Sequence, residues 1–368
     1  MRKICVGILF GGCSAEYCVS INSAKGIVGA INKNIFKVVL FGINRYGTWY
    51  VLNSIDEFVY KNNFENNNIF HFDNIQKGVV LFPGFPRKFM KINDIVCFYQ
   101  LDIVFPVTHG MLGEDGTLQG FLQILGVPYV GSGVLSSAIC MNKNMTKCFL
   151  RDIGLMVSPS FSLSYSELNN ISFDSVVKRI GLPFLVKPVN QGSSLGISKV
   201  ISQNNFYQSL VNAFNFDSEI LLERFIHGME ITCAVLGNKN NLCISFCGEI
   251  VLLSDDFYSY NIKYIDNKNV KIIIPARIND NINNRIQDIC EKIFLSLNFY
   301  EMIRVDLFLT ADEEIVINEI NTLPGFSEDS LYPKLWKKSN LSYTDLITRV
   351  IKLALERFYG RDSKKFSF

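Results

Sequence analysis

Histidine is scarce in this 368-residue chain, with three copies (His71, His109, His227), and its ten cysteines form no Cys-x-x-Cys pair. That combination excludes the usual zinc site, which draws its ligands from such spacings. The cysteines are too sparse for a disulfide framework and read as small buried hydrophobes in a reducing compartment. Charge is also in short supply. Asp, Glu, Lys and Arg make up 19%, below the roughly 25% of ordinary soluble domains. Thirty-six cations against 34 anions leave +2, a balance that argues against a dedicated nucleic-acid binder. No G-x-x-x-x-G-K-[ST] P-loop and no G-x-G-x-x-G fingerprint is present. The longest uncharged stretch, Gly116 to Asn142, holds Gln119, Gln123, Pro128 and five glycines. It therefore reads as short buried elements and not as one spanning helix of about 20 apolar residues. The opening MRKICVGILFGG imitates a signal peptide, but it ends in a Gly-rich turn without a clean cleavage pattern and reads as a first strand. The expectation is a soluble, cytoplasmic protein with neither a nucleic-acid nor a membrane partner.

What is present is apolar: 48% hydrophobic residues, enough for the two or three cores that about 150 residues per domain implies. Ile4 to Phe10, a helix around Val19 to Ile31 and a strand around Val38 to Ile43 begin a parallel α/β sheet. Ile103 to Val107 adds a strand ahead of the polar HGMLGEDGT. The Asn-rich Lys61 to Ile75 stretch reads as a surface loop. Further on, strands are expected at Phe184–Pro188, Ile197–Val200, Ile220–Glu223, Glu230–Leu236 and Cys243–Val251. A helix is expected over Ile282–Leu297.

Three constellations carry chemistry. Ile303–Leu309 and Ile315–Asn321 flank an acidic turn and read as a hairpin. Its period of two puts Arg304 and Asp306 on one face, with Glu319 and Asn321 beside them. Two carboxylates and an amide oxygen suit Mg²⁺ shared with phosphates; a solvated polar face with one ordinary ion pair is the commoner origin of such a pattern. NQGSSLG (Asn190–Gly196), following Lys187, can present N–H groups and hydroxyls to phosphate, or simply turn a hairpin. Glu16, in GGCSAEYCVS, stands near a helix start at the carboxyl edge of a sheet, where ligands bind in α/β folds and where an acid also stabilises a helix dipole.

Taken in order, the motifs resemble the D-alanine–D-alanine ligase family of ATP-grasp enzymes. They are GGCSAEYCVSINSA, HGMLGEDGTLQG, MNK, LVKP…QGSSLGISKV, ERFIHGMEIT, FYSYNIKY, RVDLF and NEINTLPGFSEDSLYP, and they span nearly the whole chain. The resemblance implies an α/β (α+β ATP-grasp) fold: an N-terminal Rossmann-like parallel α/β domain (1–140), then central (141–228) and C-terminal (229–368) parts clamping ATP. It implies that Lys143 and Lys187 hold ATP phosphates with Gly192, Ser193 and Ser194 folded over them, that Lys263 also binds the nucleotide, that Glu223, Phe225 and Ile226 face adenine, and that Glu230 binds ribose. Two Mg²⁺ ions, replaceable by Mn²⁺, would sit on Asp306, Glu319 and Asn321. Glu16 and His109 would take the first D-alanine, and Ser330 with the Leu331 backbone the second. Arg304 and the Gly325 N–H would face the oxyanion, while Ser193 and Tyr264 would tie a loop to Glu16. The implied reaction joins two D-alanine molecules through a D-alanyl phosphate, for peptidoglycan precursors, in a homodimer. Tyr258, Tyr260, Lys263 and Tyr264 complete a YxYxxKY loop that favours an amine over D-lactate as second nucleophile. Three features depart from the family: Asn190-Gln191 where an Arg-Glu pair is common, the surroundings of Glu301, before Arg304, where a small glycine is usual, and the acidic run Phe326–Asp329.

Overall fold

In a computed structural model, residues 2–57, 79–81, 88–91, 94–252 and 270–362 are described. The Asn-rich stretch Lys61 to Ile75 and the loop bearing Tyr258, Tyr260, Lys263 and Tyr264 lie outside them. The chain opens with β1 (Ile4–Gly11), α1 (Tyr17–Ala30), β2 (Phe36–Ile43), β3 (Trp49–Leu52), β4 (Val79–Leu81), β5 (Lys88–Lys91), β6 (Asp94–Gln100) and β7 (Ile103–Pro106). Next come α2 (Thr117–Ile124), α3 (Val134–Met141), α4 (Lys143–Asp152), β8 (Ser160–Ser164), α5 (Phe173–Ile180), β9 (Phe184–Pro188), β10 (Ser198–Val200), α6 (Phe206–Phe214) and β11 (Glu219–Arg224). The last part runs β12 (Met229–Asn238), β13 (Asn241–Ile244), β14 (Gly248–Leu252), β15 (Val270–Ile273), α7 (Asp280–Ser296), β16 (Glu301–Leu309), β17 (Ile315–Asn321), α8 (Leu331–Lys338) and α9 (Tyr343–Asp362).

The first sheet has the order β3-β2-β1-β7, with β2 and β7 parallel to β1. β1 is apolar on both faces because both are covered, as parallel sheets require. Val6, Ile8 and Phe10 enter a core with α1, α8 and α9, while Cys5 and Leu9 face a second core with Leu118 and Leu122 of α2. Thus the ends of the chain share one interior: the Phe105 ring meets Phe326 edge-on, with centroids 5.3 Å apart. The uncharged stretch from Gly116 to Asn142 is cut as expected, into α2 and α3. Among the described residues no helix is long and apolar enough to cross a membrane.

Two antiparallel sheets follow, of order β10-β9-β11-β8 and β15-β14-β12-β16-β17, with β13 also paired to β12. The strand expected over Cys243–Val251 is two strands. At the break, the Ser245 hydroxyl accepts the Ala234 N–H at 3.0 Å and Ser245 N–H returns to Ala234 O. A side chain thereby replaces a ladder bond and ends β13. The hairpin of β16 and β17 forms as read, with Asp306 opposite Glu319 and Arg304 opposite Asn321. A bulge after Asp306 skips Asn318, since Leu307 pairs with Ile317. Bulges of this kind re-aim side chains beside sites.

Candidate active site

Polar side chains from three sheets converge on one region. At the carboxyl edge of the first sheet, the chain turns through Gly11 and Gly12, both at positive φ, and delivers Glu16 to the start of α1. Ser193 donates a hydrogen bond to Glu16 Oε1 across 177 residues of sequence. Gly110 and Gly192 close over the same carboxylate, where a Cβ at either would stand 2.8 Å from Oε2. Ser193 and Ser194 take φ of +52° and +58°, a left-handed turn costing about 1–2 kcal/mol for each L-residue. Such strain recurs in loops that aim hydroxyls and N–H groups.

His109 is buried behind Glu16. Its Nδ1 lies 3.5 Å from Glu114 Oε1 and its Nε2 3.3 Å from Ser23 Oγ, which also accepts the Phe326 N–H at 3.3 Å. Burial alone would lower the His109 pKa; the Glu114 carboxylate, with Glu16 beyond it, outweighs burial and raises it. Ser23 therefore couples the imidazole to the turn carrying Gly325. Beside that turn, a Cβ on Gly325 would come within 3.1 Å of Ser330 Oγ. Ser330 stands at the N-terminal boundary of α8, just ahead of Leu331, with its Oγ turned to Ser327 Oγ at 2.7 Å.

On the hairpin, Arg304 grips Asp306 with Nε 2.9 Å from Oδ1 and a terminal nitrogen 2.7 Å from Oδ2. Thr232 donates to Oδ1 at 2.6 Å and Asn321 Nδ2 to Oδ2 at 3.0 Å. With its nitrogen turned to Asp306, the Asn321 amide retains its oxygen for a cation. Among the described residues no three carboxylate, imidazole or thiol groups form a metal cage. The donors offered are two carboxylates and an amide oxygen. That hard, incomplete set fits Mg²⁺, which takes its remaining ligands from water and phosphate.

A cavity of about 400 Å³ separates the two antiparallel sheets. Lys143, Lys187, Ser193, Ser194 and Glu319 line its polar end; Phe225, Ile226, Ile250 and Phe308 its apolar side; Glu230 stands between. A smaller cavity of about 50 Å³ brings Glu114, Lys143, Gly192, Glu319 and Asn321 together. Lys143 begins α4, whose cap is the Asn142 side chain accepting Met145 N–H at 2.9 Å. Its ammonium donates to Gln191 O. Burial lowers its pKa to about 8 against the pull of Glu319. Glu223, expected at the adenine, does not line this cavity. Its carboxylate lies between Lys147 (2.6 Å) and Lys187 (2.8 Å). Burial opposes its ionisation, but the two lysines prevail and hold it at about 2. Lys263 and Tyr264 lie outside the described residues.

Sequence reasoning missed Ser23, Glu114, Lys147, Thr232 and Asn318. One usable signal was Lys147, one turn after Lys143. The neutral pair Asn190-Gln191 proves to be an anchor: Asn190 N–H and Nδ2 both donate to Asp217 Oδ2 (2.7 and 3.0 Å), and Gln191 Nε2 to Phe216 O at 3.1 Å.

Two antiparallel sheets closing on one cleft, beside a parallel α/β sheet, make the ATP-grasp architecture, and the chain is a ligase of that class. Residues 5–132 match the family described as D-ala D-ala ligase N-terminus, and residues 149–352 match D-ala D-ala ligase C-terminus. D-alanine–D-alanine ligase A of Escherichia coli strain K12 is 48% identical over 366 residues, covering 99% of each chain. Among solved structures, the D-alanine-D-alanine ligase of Coxiella burnetii has a TM-score of 0.83 at 30% identity, over 99% of this chain and 97% of that one. The VanG D-Ala:D-Ser ligase of Enterococcus faecalis has a TM-score of 0.82 at 35% identity, over 96% and 100%. This chain belongs to the D-alanine–D-alanine ligase family.

Proposed function

We propose that this protein uses ATP to join two D-alanine molecules, in the cytoplasm and as a homodimer, for peptidoglycan precursors. We read it as three parts, 1–140, 141–228 and 229–368. The observation that carries the reading is the contact between Glu16 and Ser193: it unites the amino-terminal ligand edge with the turn at the polar end of the cleft.

In this reading ATP lies along the cleft, its base against Phe225, Ile226 and Phe308 and its ribose at Glu230. Lys143, Lys187 and the 192–194 turn take the phosphates. Asp306, Glu319 and Asn321 would hold Mg²⁺, which when bound spreads the charge of the transferring phosphoryl group. Glu16 fixes the ammonium of the first D-alanine, whose carboxylate accepts the γ-phosphoryl group. The Ser330 hydroxyl and the start of α8 orient the second carboxylate, as helix N-termini do for anions. Its amine attacks the acyl phosphate; Arg304 and the Gly325 N–H stabilise the oxyanion, and phosphate departs. Holding both amino acids in line supplies up to about 7–11 kcal/mol of the barrier. The closed Glu16–Ser193 contact keeps water from the acyl phosphate.

The test is product analysis. With ATP, Mg²⁺ and D-alanine, the purified protein releases phosphate and D-alanyl-D-alanine in equal amounts, and D-serine or D-lactate competes poorly. Phosphate release indifferent to D-alanine would sink the reading.

A pH dependence follows from Lys143. Only its ammonium form attracts phosphate, so ATP affinity stays level below pH 8 and falls above it, by about tenfold per pH unit while the neutral form binds negligibly. Equilibrium titrations at pH 7, 8 and 9 measure this without interference from the D-alanine amine. Lys143→Arg, which keeps its charge, flattens the profile.

A further inference from the structure

Lys147 is 2% exposed and does not line the nucleotide cavity, yet its ammonium is buried against Glu223, at 2.6 Å from Oε1. Lys187 shares the same carboxylate from the other side, at 2.8 Å from Oε2, and it does line the cavity. Two lysines on one glutamate leave this buried group at +1. We propose that Lys147 is a positioning residue for nucleotide phosphate: it keeps Glu223 neutralised so that Lys187 can exchange that carboxylate for phosphate oxygens. The proposal rests on the nucleotide reading of the cleft.

Without Lys147, Lys187 and Glu223 form a neutral buried pair. Drawing Lys187 toward a phosphate then strands a carboxylate away from water, which is strongly unfavourable. With Lys147 in place, Glu223 keeps a partner whichever way Lys187 turns. Lys147 itself stays put, since it lies on α4 one turn beyond Lys143 and behind the cavity wall. The device also accounts for a lysine buried so deeply; isolated ammonium groups are rarely tolerated there.

The experiment compares the full-length chain with Lys147→Met, Lys147→Arg and the double variant Lys147→Met/Glu223→Gln, by equilibrium binding of ATP and of adenosine and by steady-state kinetics. Removing Lys147 changes the buried charge from +1 to 0, and the double variant restores it to +1. Lys147→Met is expected to weaken ATP binding about tenfold or more, appearing in KM for ATP far more than in kcat, with adenosine binding held within about twofold. The double variant recovers most of the ATP affinity, and so does Lys147→Arg. A merely structural lysine would instead give losses that add in the double variant and spread to adenosine. Should Lys147→Met fail to fold, Lys147→Gln carries the same expectation. ATP binding by the folded single variant equal to wild type, or a double variant no better than the single, overturns the proposal. A wild-type protein that binds no ATP overturns the nucleotide reading itself, and this proposal with it.

Discussion

Arg304→Ala is expected to lower kcat for ligation by about 10²–10³, the usual cost of losing one oxyanion donor, while ATP still binds. The side chain is 14% exposed, and Asp306 holds it through Nε and one terminal nitrogen. That grip fixes the orientation of the guanidinium at the edge of the hairpin before substrate arrives. Such preorganised donors favour the charge that develops during reaction over the neutral ground state. Truncation also withdraws one partner from Asp306, but Thr232 and Asn321 remain on that carboxylate, so the hairpin is expected to stay folded. Arg304→Lys should recover little, because a point charge cannot reproduce a planar fork. Single-turnover rates at saturating ATP, D-alanine and Mg²⁺ separate this loss from binding. An undiminished rate would remove Arg304 from the oxyanion role.

The hairpin was the part of the site most open to prediction, because its geometry is local. A period of two and a short acidic turn suffice to set Asp306 against Glu319. Even there the pattern could not foresee the bulge that skips Asn318 and places it along the cleft wall beside Glu319. Thr232 escaped notice because it reaches Asp306 from β12 through the register Thr232↔Asp306, and strand pairings between distant segments leave no mark in either sequence. The same holds for Ser23, which binds the His109 ring and the Phe326 N–H from opposite ends of the chain. Glu16 and Ser193 were paired only by resemblance to a family. Nothing in their own neighbourhoods joins two residues so far apart. The parallel sheet, in contrast, was readable from β1 onward, since a continuous apolar run ending in glycines has few other uses in a covered sheet. Glu223 was likewise placed only by resemblance, and nothing along its own strand announces its counter-ions Lys147 and Lys187.

Glu301→Ala is expected to destabilise the fold by about 3–5 kcal/mol, the range for breaking a buried ion pair, and Glu301→Gly by about 1 kcal/mol less. Glu301 has no exposed surface and takes φ of +55°. A glycine enters that left-handed region freely, whereas an L-residue bears about 1–2 kcal/mol there. The glutamate persists because of what its carboxylate holds. Oε2 accepts the Gly131 N–H at 2.8 Å, and Oε1 stands 3.3 Å from Arg357 Nε. Arg357 donates in turn to Gly131 O at 2.8 Å and Tyr129 O at 2.6 Å, and its guanidinium lies over the Tyr300 ring at 4.6 Å. One acid–base pair thus joins α9, the segment leaving the first sheet, and the start of β16, three residues before Arg304. Removing Glu301 leaves the Arg357 cation buried with carbonyls and rings but no counter-charge. Glycine relieves the backbone strain and loses the pair; alanine keeps the strain and loses the pair as well. Adding Arg357→Met to Glu301→Gly should regain much of the loss, because an apolar replacement of a whole buried pair is often neutral. Urea unfolding of the four proteins measures all three steps. A glycine variant less stable than the alanine variant would refute the strain argument, and an alanine variant as stable as wild type would refute the ion-pair argument.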